Sequence, residues 1–162
     1  MGLYPPVGSA WSPIRQQPKI RTRGKNAKVY LFGALDAHTQ RLSAGFWARK
    51  NSAAFVDFLR DLLSLIPQGR LYLVLDNYIV HKSNQTRHFL ATEGQRISLV
   101  FLPTYSPWLN RIEITWRFLK GHAATNQWRD SLDQLQDAFF RTMTNMGAVT
   151  LRRAHASPIS KE

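Results

Sequence analysis

Leu71–Leu75, Leu-Tyr-Leu-Val-Leu, is an unbroken apolar run closed by an acid, Asp76, and it limits the possible folds more than any other stretch of the chain. A short run with no polar alternation suits a strand buried on both faces, and such strands belong to parallel sheets covered by helices. Upstream of it, Phe55, Leu59, Leu62 and Ile66 recur at spacings of four, three and four. This predicts an amphipathic helix, with Ser52 as its N-cap and Pro67 and Gly69 ending it. Earlier still, Val29, Tyr30, Leu31, Phe32 and Leu35 make one apolar run beginning after Lys28, and residues 42 to 48, with Phe46 and Trp47, make another. The polar turn between them, 36 to 41, predicts an antiparallel hairpin. The following strand, helix, strand order implies a right-handed crossover and parallel pairing, which puts Asp76 at the carboxyl end of its strand.

Downstream of Asp76 the pattern predicts a helix over 83 to 93 closed by Gly94, then a buried strand over 97 to 102 stopped by Pro103. A loop with Tyr105, Ser106 and Pro107 leads to Asn110, the expected cap of a helix with Ile112, Trp116 and Leu119 on one face. Ser131 with Gln134 has the spacing of a capping box for a last helix carrying Leu132, Leu135, Phe139 and Met143. The chain's 162 residues suffice for one hydrophobic core rather than two. Residues 1 to 27 are of another character: Pro5, Pro6, Pro13 and Pro18 alternate with Arg15, Lys19, Arg21, Arg23 and Lys25, without a single acid. Proline disfavours both helix and inner strand, so an extended, phosphate-binding or domain-wrapping segment is expected there. The expected organisation is a basic segment over 1–27, an α/β domain over 28–146 and a tail over 147–162.

The chain carries 22 Lys+Arg against 10 Asp+Glu, a formal charge of +12, yet is 44% hydrophobic and 12% aromatic. That composition describes a folded basic domain, not a disordered tail, and such a domain expects a polyanion. Nucleic acid is the commonest, since each neutralised phosphate releases counterions; a ribosome-type surface or plain solubility are the blander explanations. The absence of cysteine excludes disulfides, thiolate zinc sites and cysteine nucleophiles together. No apolar run approaches the length of a membrane span, and the N-terminus lacks the apolar core of a signal peptide, so a soluble, cytoplasmic protein is expected.

With only ten carboxylates, candidates for acid, base or metal chemistry can be sorted singly. Asp57 and Asp61 fall on the exposed face of the first helix, Glu93 ends the second, Asp130, Asp133 and Asp137 crowd the start of the last, and Glu162 is terminal. Asp36, Asp76 and Glu113 remain. Asp36 reads best as a turn-initiating residue of the hairpin. Asp76 stands where ligands gather in parallel α/β sheets, although an Asp-Asn pair, Asp76 and Asn77, also suits a turn cap. Glu113 has capping-box spacing from Asn110 and ion-pair spacing to Arg117, so a structural role is open to it as well. His81 is either a satisfied polar side chain or a neighbour of Asp76.

Two longer stretches go beyond these local patterns. Leu-Asp-Asn-Tyr-Ile-Val-His, 75 to 81, and Leu-Pro-Thr-Tyr-Ser-Pro-Trp-Leu-Asn-Arg-Ile-Glu-Ile-Thr-Trp, 102 to 116, resemble the second and third blocks of DDE transposases of the mariner-like superfamily, in its bacterial insertion-sequence 630 branch. The spacing from Asp76 to Glu113 agrees, and the resemblance runs from about residue 2 to 143, including Gly-Ala-Leu-Asp at 33 to 36. It implies an RNase H-like fold, a mixed sheet flanked by helices, in which three carboxylates hold two divalent ions, Mg²⁺ or Mn²⁺, for phosphoryl transfer on DNA. By this resemblance Asp76 and Glu113 are the second and third carboxylates, with Asn77, His81, Tyr105, Ser106 and Asn110 expected to support them; by their charge, Arg117 and Lys120 are expected to join the N-terminal basic residues on DNA.

The departures from the family carry expectations too. Its first aspartate lies on a strand before the region matching residues 3 to 13, where Met1 and Gly2 stand here, so that carboxylate, its strand and the helix-turn-helix region are expected to be missing. Arg111 stands where the family has proline. Asp36 is a poor substitute ligand, because the strand it follows runs antiparallel to the missing one. Two further readings compete with a DNA-cutting enzyme: an inert DNA-binding or dimerising module, acting alone or on a full-length transposase, and a nuclease acting on RNA.

Overall fold

The computed structural model describes residues 27–104, 107–127 and 129–152. Two strands, β1 (Tyr30–Leu35) and β2 (Leu42–Trp47), form the expected antiparallel hairpin, with Tyr30 opposite Trp47 and Leu35 opposite Leu42. Asp36 makes the turn: its Oδ1 accepts from the backbone N–H of His38 at 2.8 Å and of Thr39 at 3.1 Å. The Thr39 and His38 amides together hold its carboxyl below the usual aspartate value, the first more strongly. A carboxylate so engaged is a turn residue, as its place in the sequence indicates.

Helix α1 (Ser52–Leu65) follows, but its cap is Asn51, not Ser52: the extended Asn51 accepts from Ala54 N at 2.9 Å, and Ser52 is already helical. At its other end, Arg96 gathers exposed carbonyls, with Nη1 donating to Gly69 O at 2.8 Å and Nη2 to Ile66 O at 3.0 Å and Leu63 O at 3.4 Å. One guanidinium thus closes α1 and its following turn, where Gly69 has φ +80°. Replacing Arg96 with Ala is expected to cost about 1–3 kcal/mol. Lysine should restore little of this because a single ammonium cannot span the fork. Urea denaturation of the two variants measures both effects.

Next come β3 (Leu71–Leu75), a 3₁₀ turn (Ile79–Lys82), α2 (Asn84–Thr92) and β4 (Ile97–Phe101). Strands β3 and β4 pair in parallel through α2, from Leu71 opposite Ile97 to Leu75 opposite Phe101. The parallel crossover therefore joins β3 to β4 rather than β2 to β3. A second 3₁₀ turn (Pro107–Leu109) runs into α3 (Ile112–Ala123), and α4 (Leu132–Asn145) is capped by Ser131, whose side chain accepts from Gln134 N. Gln134 reaches back to Asp130 N at 2.9 Å, one residue before the reciprocal partner that the capping box predicts. Asn110 does not cap α3: its backbone carbonyl, not its side chain, accepts from Glu113 N. The chain arrives there with Arg111 already helical, at φ −59° and ψ −26°, so the extended cap geometry is absent.

The segment expected as a C-terminal tail contributes a strand, β5 (Val149–Thr150), parallel to β2. Leu151 N to Ala44 O and Phe46 N to Arg152 O, both 2.9 Å, extend that pairing. Among the described residues the strands form two sheets, ordered β1-β2-β5 and β3-β4, as a mixed sheet interrupted by the expected lack of one inner strand would. No described strand lies between β1 and β3.

Period-two alternation sorts the hairpin's side chains onto two cores. On one face Leu42, Ala44 and Phe46 pack with Leu119 of α3 and Leu135, Phe139 and Met143 of α4. On the other, Phe32, Ala34 and Trp47 meet Phe55, Phe58 and Leu59 of α1, which continues into Leu75, Phe89 and Ile97. Gly33 permits the first packing. A Cβ at that position would stand 2.6 Å from Cη2 of Trp116 and 3.0 Å from Cβ of Ala44. Gly33→Val is accordingly expected to cost about 1–3 kcal/mol through overpacking, and a thermal melt of that variant checks it.

Candidate active site

Asp76 is the residue immediately after β3, at the carboxyl end of the parallel pair. Its side chain is 70% exposed. Only a long 3.4 Å contact from Tyr78 N supports the turn-cap alternative for it. His81 Nδ1 lies 3.1 Å from the Asp76 backbone oxygen and 3.3 Å from its Oδ1. Both neighbours are acceptors, so the neutral imidazole carries its proton on Nδ1. Phe55 and Tyr78 pack on the ring, at centroid distances of 4.5 and 5.9 Å. This burial pushes the His81 pKa below its ordinary 6.5, against the opposing pull of Asp76. His81 is thus a neutral prop for the Asp76 loop.

Asn77 braces the same loop from the other side. Its Nδ2 donates to Leu102 O at 2.7 Å, while Leu102 N donates to Leu75 O at 2.8 Å, which ties the ends of β3 and β4 together. Its Oδ1 accepts from Lys82 Nζ. Further on, Ser83 caps α2 through Thr86 N, and the fully buried Thr86 hydroxyl donates to Val80 O at 2.8 Å. These bonds fix the path of the chain from strand to helix, leaving the carboxylate of Asp76 pointing to water.

Glu113 occupies the first turn of α3, where a carboxylate is stabilised by the helix dipole. It is exposed, and among the described residues it forms no ion pair with Arg117, so the i, i+4 alternative is not realised. Asp57, Asp61 and Glu93, by contrast, are engaged by Arg60 and Arg152. Asp76 and Glu113 belong to different layers, α3 resting on the first core and β3 on the second, and no described contact joins them. Nor do any three His, Cys, Asp or Glu among the described residues group as a metal site would require. The donor chemistry nonetheless fits a hard divalent ion: two exposed carboxylates, neither held by Lys or Arg, in a chain without thiolates.

Of the other expected residues, Arg117 and Lys120 lie exposed on α3, while Tyr105 and Ser106, and Arg15, Lys19, Arg21, Arg23 and Lys25, lie outside the described residues. Sequence reasoning passed over two lysines that flank the Asp76 loop. Lys50 Nζ sits 3.9 Å from the centroid of the Tyr78 ring, and Lys82 Nζ 4.7 Å from that of Phe101. Nothing in their spacing distinguishes them from other surface lysines. Among the described residues no helix is long and apolar enough to cross a membrane.

Residues 2–136 match the family model of the DDE superfamily endonucleases. Over 133 residues the chain is 34% identical to the "Insertion element IS630 uncharacterized 39 kDa protein" of Shigella sonnei, an alignment that covers 78% of this chain and 38% of that relative. The match takes in both β3 with Asp76 and the start of α3 with Glu113. The chain belongs to the DDE superfamily endonucleases, as a relative of the IS630 insertion-element protein.

Proposed function

We propose that this chain is the catalytic-domain part of a DNA transposase with an RNase H-like fold, in which Asp76 and Glu113 hold a divalent ion for DNA strand cleavage and strand transfer. The observation that carries the reading is Asp76 itself, an exposed carboxylate with no Lys or Arg partner, set at the carboxyl end of a parallel strand inside the matched family segment. Mg²⁺ or Mn²⁺, when bound, supplies activation of the attacking hydroxyl and stabilisation of the leaving oxygen. The chain's own contribution is placement: His81 and Asn77 hold the loop, the dipole of α3 favours the charge on Glu113, and basic side chains bind the phosphate backbone of the DNA.

In this reading a further strand, bearing a third carboxylate and supplied from outside the described residues, lies between β1 and β3 and joins the two sheets. The strand orders β1-β2-β5 and β3-β4 support it, because they leave β1 and β3 as edge strands with backbone groups open to a further strand. Partnership with a second copy or a full-length transposase is part of the same reading.

The competing reading, an inert DNA-binding module, draws on the lack of a three-carboxylate group among the described residues. Incubation of the protein with a labelled DNA duplex in Mn²⁺ and in EDTA separates the two. Metal-dependent strand cuts support the enzyme. Salt-sensitive binding with no cuts, even when a segment carrying the upstream aspartate is fused, supports the inert module.

A further inference from the structure

Two ammonium groups stand beside the Asp76 loop without pairing to any carboxylate among the described residues. They come from different elements, Lys50 from the turn before α1 and Lys82 from the last position of the 3₁₀ turn after β3. Each is held in place by groups that carry no charge: Lys82 by Asn77 Oδ1 and the Phe101 ring, Lys50 by the Tyr78 ring. A lysine over an aromatic face keeps its charge while losing freedom of position. Asp76, which either ammonium would neutralise by approaching, instead takes its contacts from Tyr78 N and His81. The loop therefore carries the Asp76 carboxylate, with an ammonium held on each of the two residues that follow it and no ion pair to either. Arg60 and Arg152, by comparison, are spent on acids.

Two ammonium groups held on Asn77 and Tyr78, the residues that follow Asp76, and paired to no described acid, suit a ligand that brings negative oxygens of its own. A phosphodiester does so, and lysine meets it as a compact point charge. We propose that Lys50 and Lys82 form a phosphate clamp that seats one stretch of DNA backbone beside Asp76, with Asn77 as the positioning residue that holds Lys82. The inference rests on the DNA reading above and names where on the chain the strand lies. Asn77 acts through Lys82, because the same amide that ties β4 to the loop presents its oxygen to the ammonium.

The test is equilibrium binding of a labelled duplex to the intact protein in EDTA, over a series of salt concentrations. Each phosphate contact contributes roughly 0.9 to the slope of log affinity against log salt. Lys82→Met and Lys50→Met should each lower the magnitude of that slope by about this amount. Asn77→Ala should lower it too, but add nothing in the Lys82→Met background. Arg70→Met, which removes equal charge just before β3 and so at the opposite end of the strand, should leave it unchanged. Melting temperatures show which variants are folded, and if Asn77→Ala is not, the lysine variants decide. Unchanged slopes for both lysine variants, or an equal loss for Arg70→Met, overturn the clamp while leaving the DNA reading intact. Failure of the unsubstituted protein to bind the duplex at low salt removes both.

Discussion

Phe139→Ala is expected to destabilise the protein by about 3–5 kcal/mol, the largest effect of any single core substitution proposed for it. Phe139 is fully buried in α4 and meets Phe46 of β2 edge-on, with ring centroids 5.7 Å apart and planes at 85°. Around the same rings lie Leu119 of α3, Leu135 and Met143, so the residue joins both covering helices to the hairpin. Alanine is a better helix former than phenylalanine, and the loss must therefore come from the cavity and the missing ring contact. Phe139→Leu, which leaves a smaller void, should lose less. Urea denaturation of the three proteins measures the series, and a loss below about 1 kcal/mol for Phe139→Ala would mean that α4 is not packed on β2.

Asp76→Asn and Glu113→Gln have the second large effect, this time on chemistry rather than stability. Both side chains are exposed, and neither is bonded to a Lys or Arg, so replacing carboxylate by amide should leave the melting temperature nearly unchanged. What the amides lose is affinity for a hard divalent ion, whose stabilisation of the transition state is worth several kcal/mol. At about 1.4 kcal/mol per tenfold, each substitution should lower metal-dependent DNA cleavage roughly 10³-fold. The measurement uses the protein in whichever form cuts, the chain alone or joined to the upstream segment. Wild-type cutting by either variant would remove that residue from the site.

The parts of the fold that were readable in advance are those specified by local chemistry. The apolar run Leu71–Leu75 is β3, the spacing through Leu59 and Leu62 is α1, and Ser131 caps α4. Ser52 was the wrong cap for a narrow reason: Asn51 and Ser52 are adjacent and equally able to cap, and only the extended backbone of Asn51 decides between them. Strand β5 is too short, Val149–Thr150, to show a period, and exists through hydrogen bonds to β2, far away in sequence. The division into two sheets agrees with the strand expected to be missing, but the pairing of β5 with β2 is a long-range fact that no local pattern encodes.

The candidate site divides the same way. Asp76 was visible from its place after an apolar run, although the burial expected of that run on both faces is not found: Tyr72 and Val74 are exposed. Glu113 was not separable from an ordinary helix-start acid except through the motif around it. The bracing by Asn77 depends on Leu102, and the lysines on the rings of Tyr78 and Phe101, contacts that no local pattern encodes.

The central claim is that Asp76 and Glu113 serve one metal, and iron-directed cleavage of the polypeptide tests it without needing turnover. Fe²⁺ takes the place of Mg²⁺, and with ascorbate and peroxide it cuts the backbone next to its ligands. The account predicts cuts near both residue 76 and residue 113, suppressed by Mn²⁺, with both sets lost in Asp76→Asn and both lost in Glu113→Gln. Cuts at one segment alone, no cuts, or loss confined to the substituted segment would contradict it.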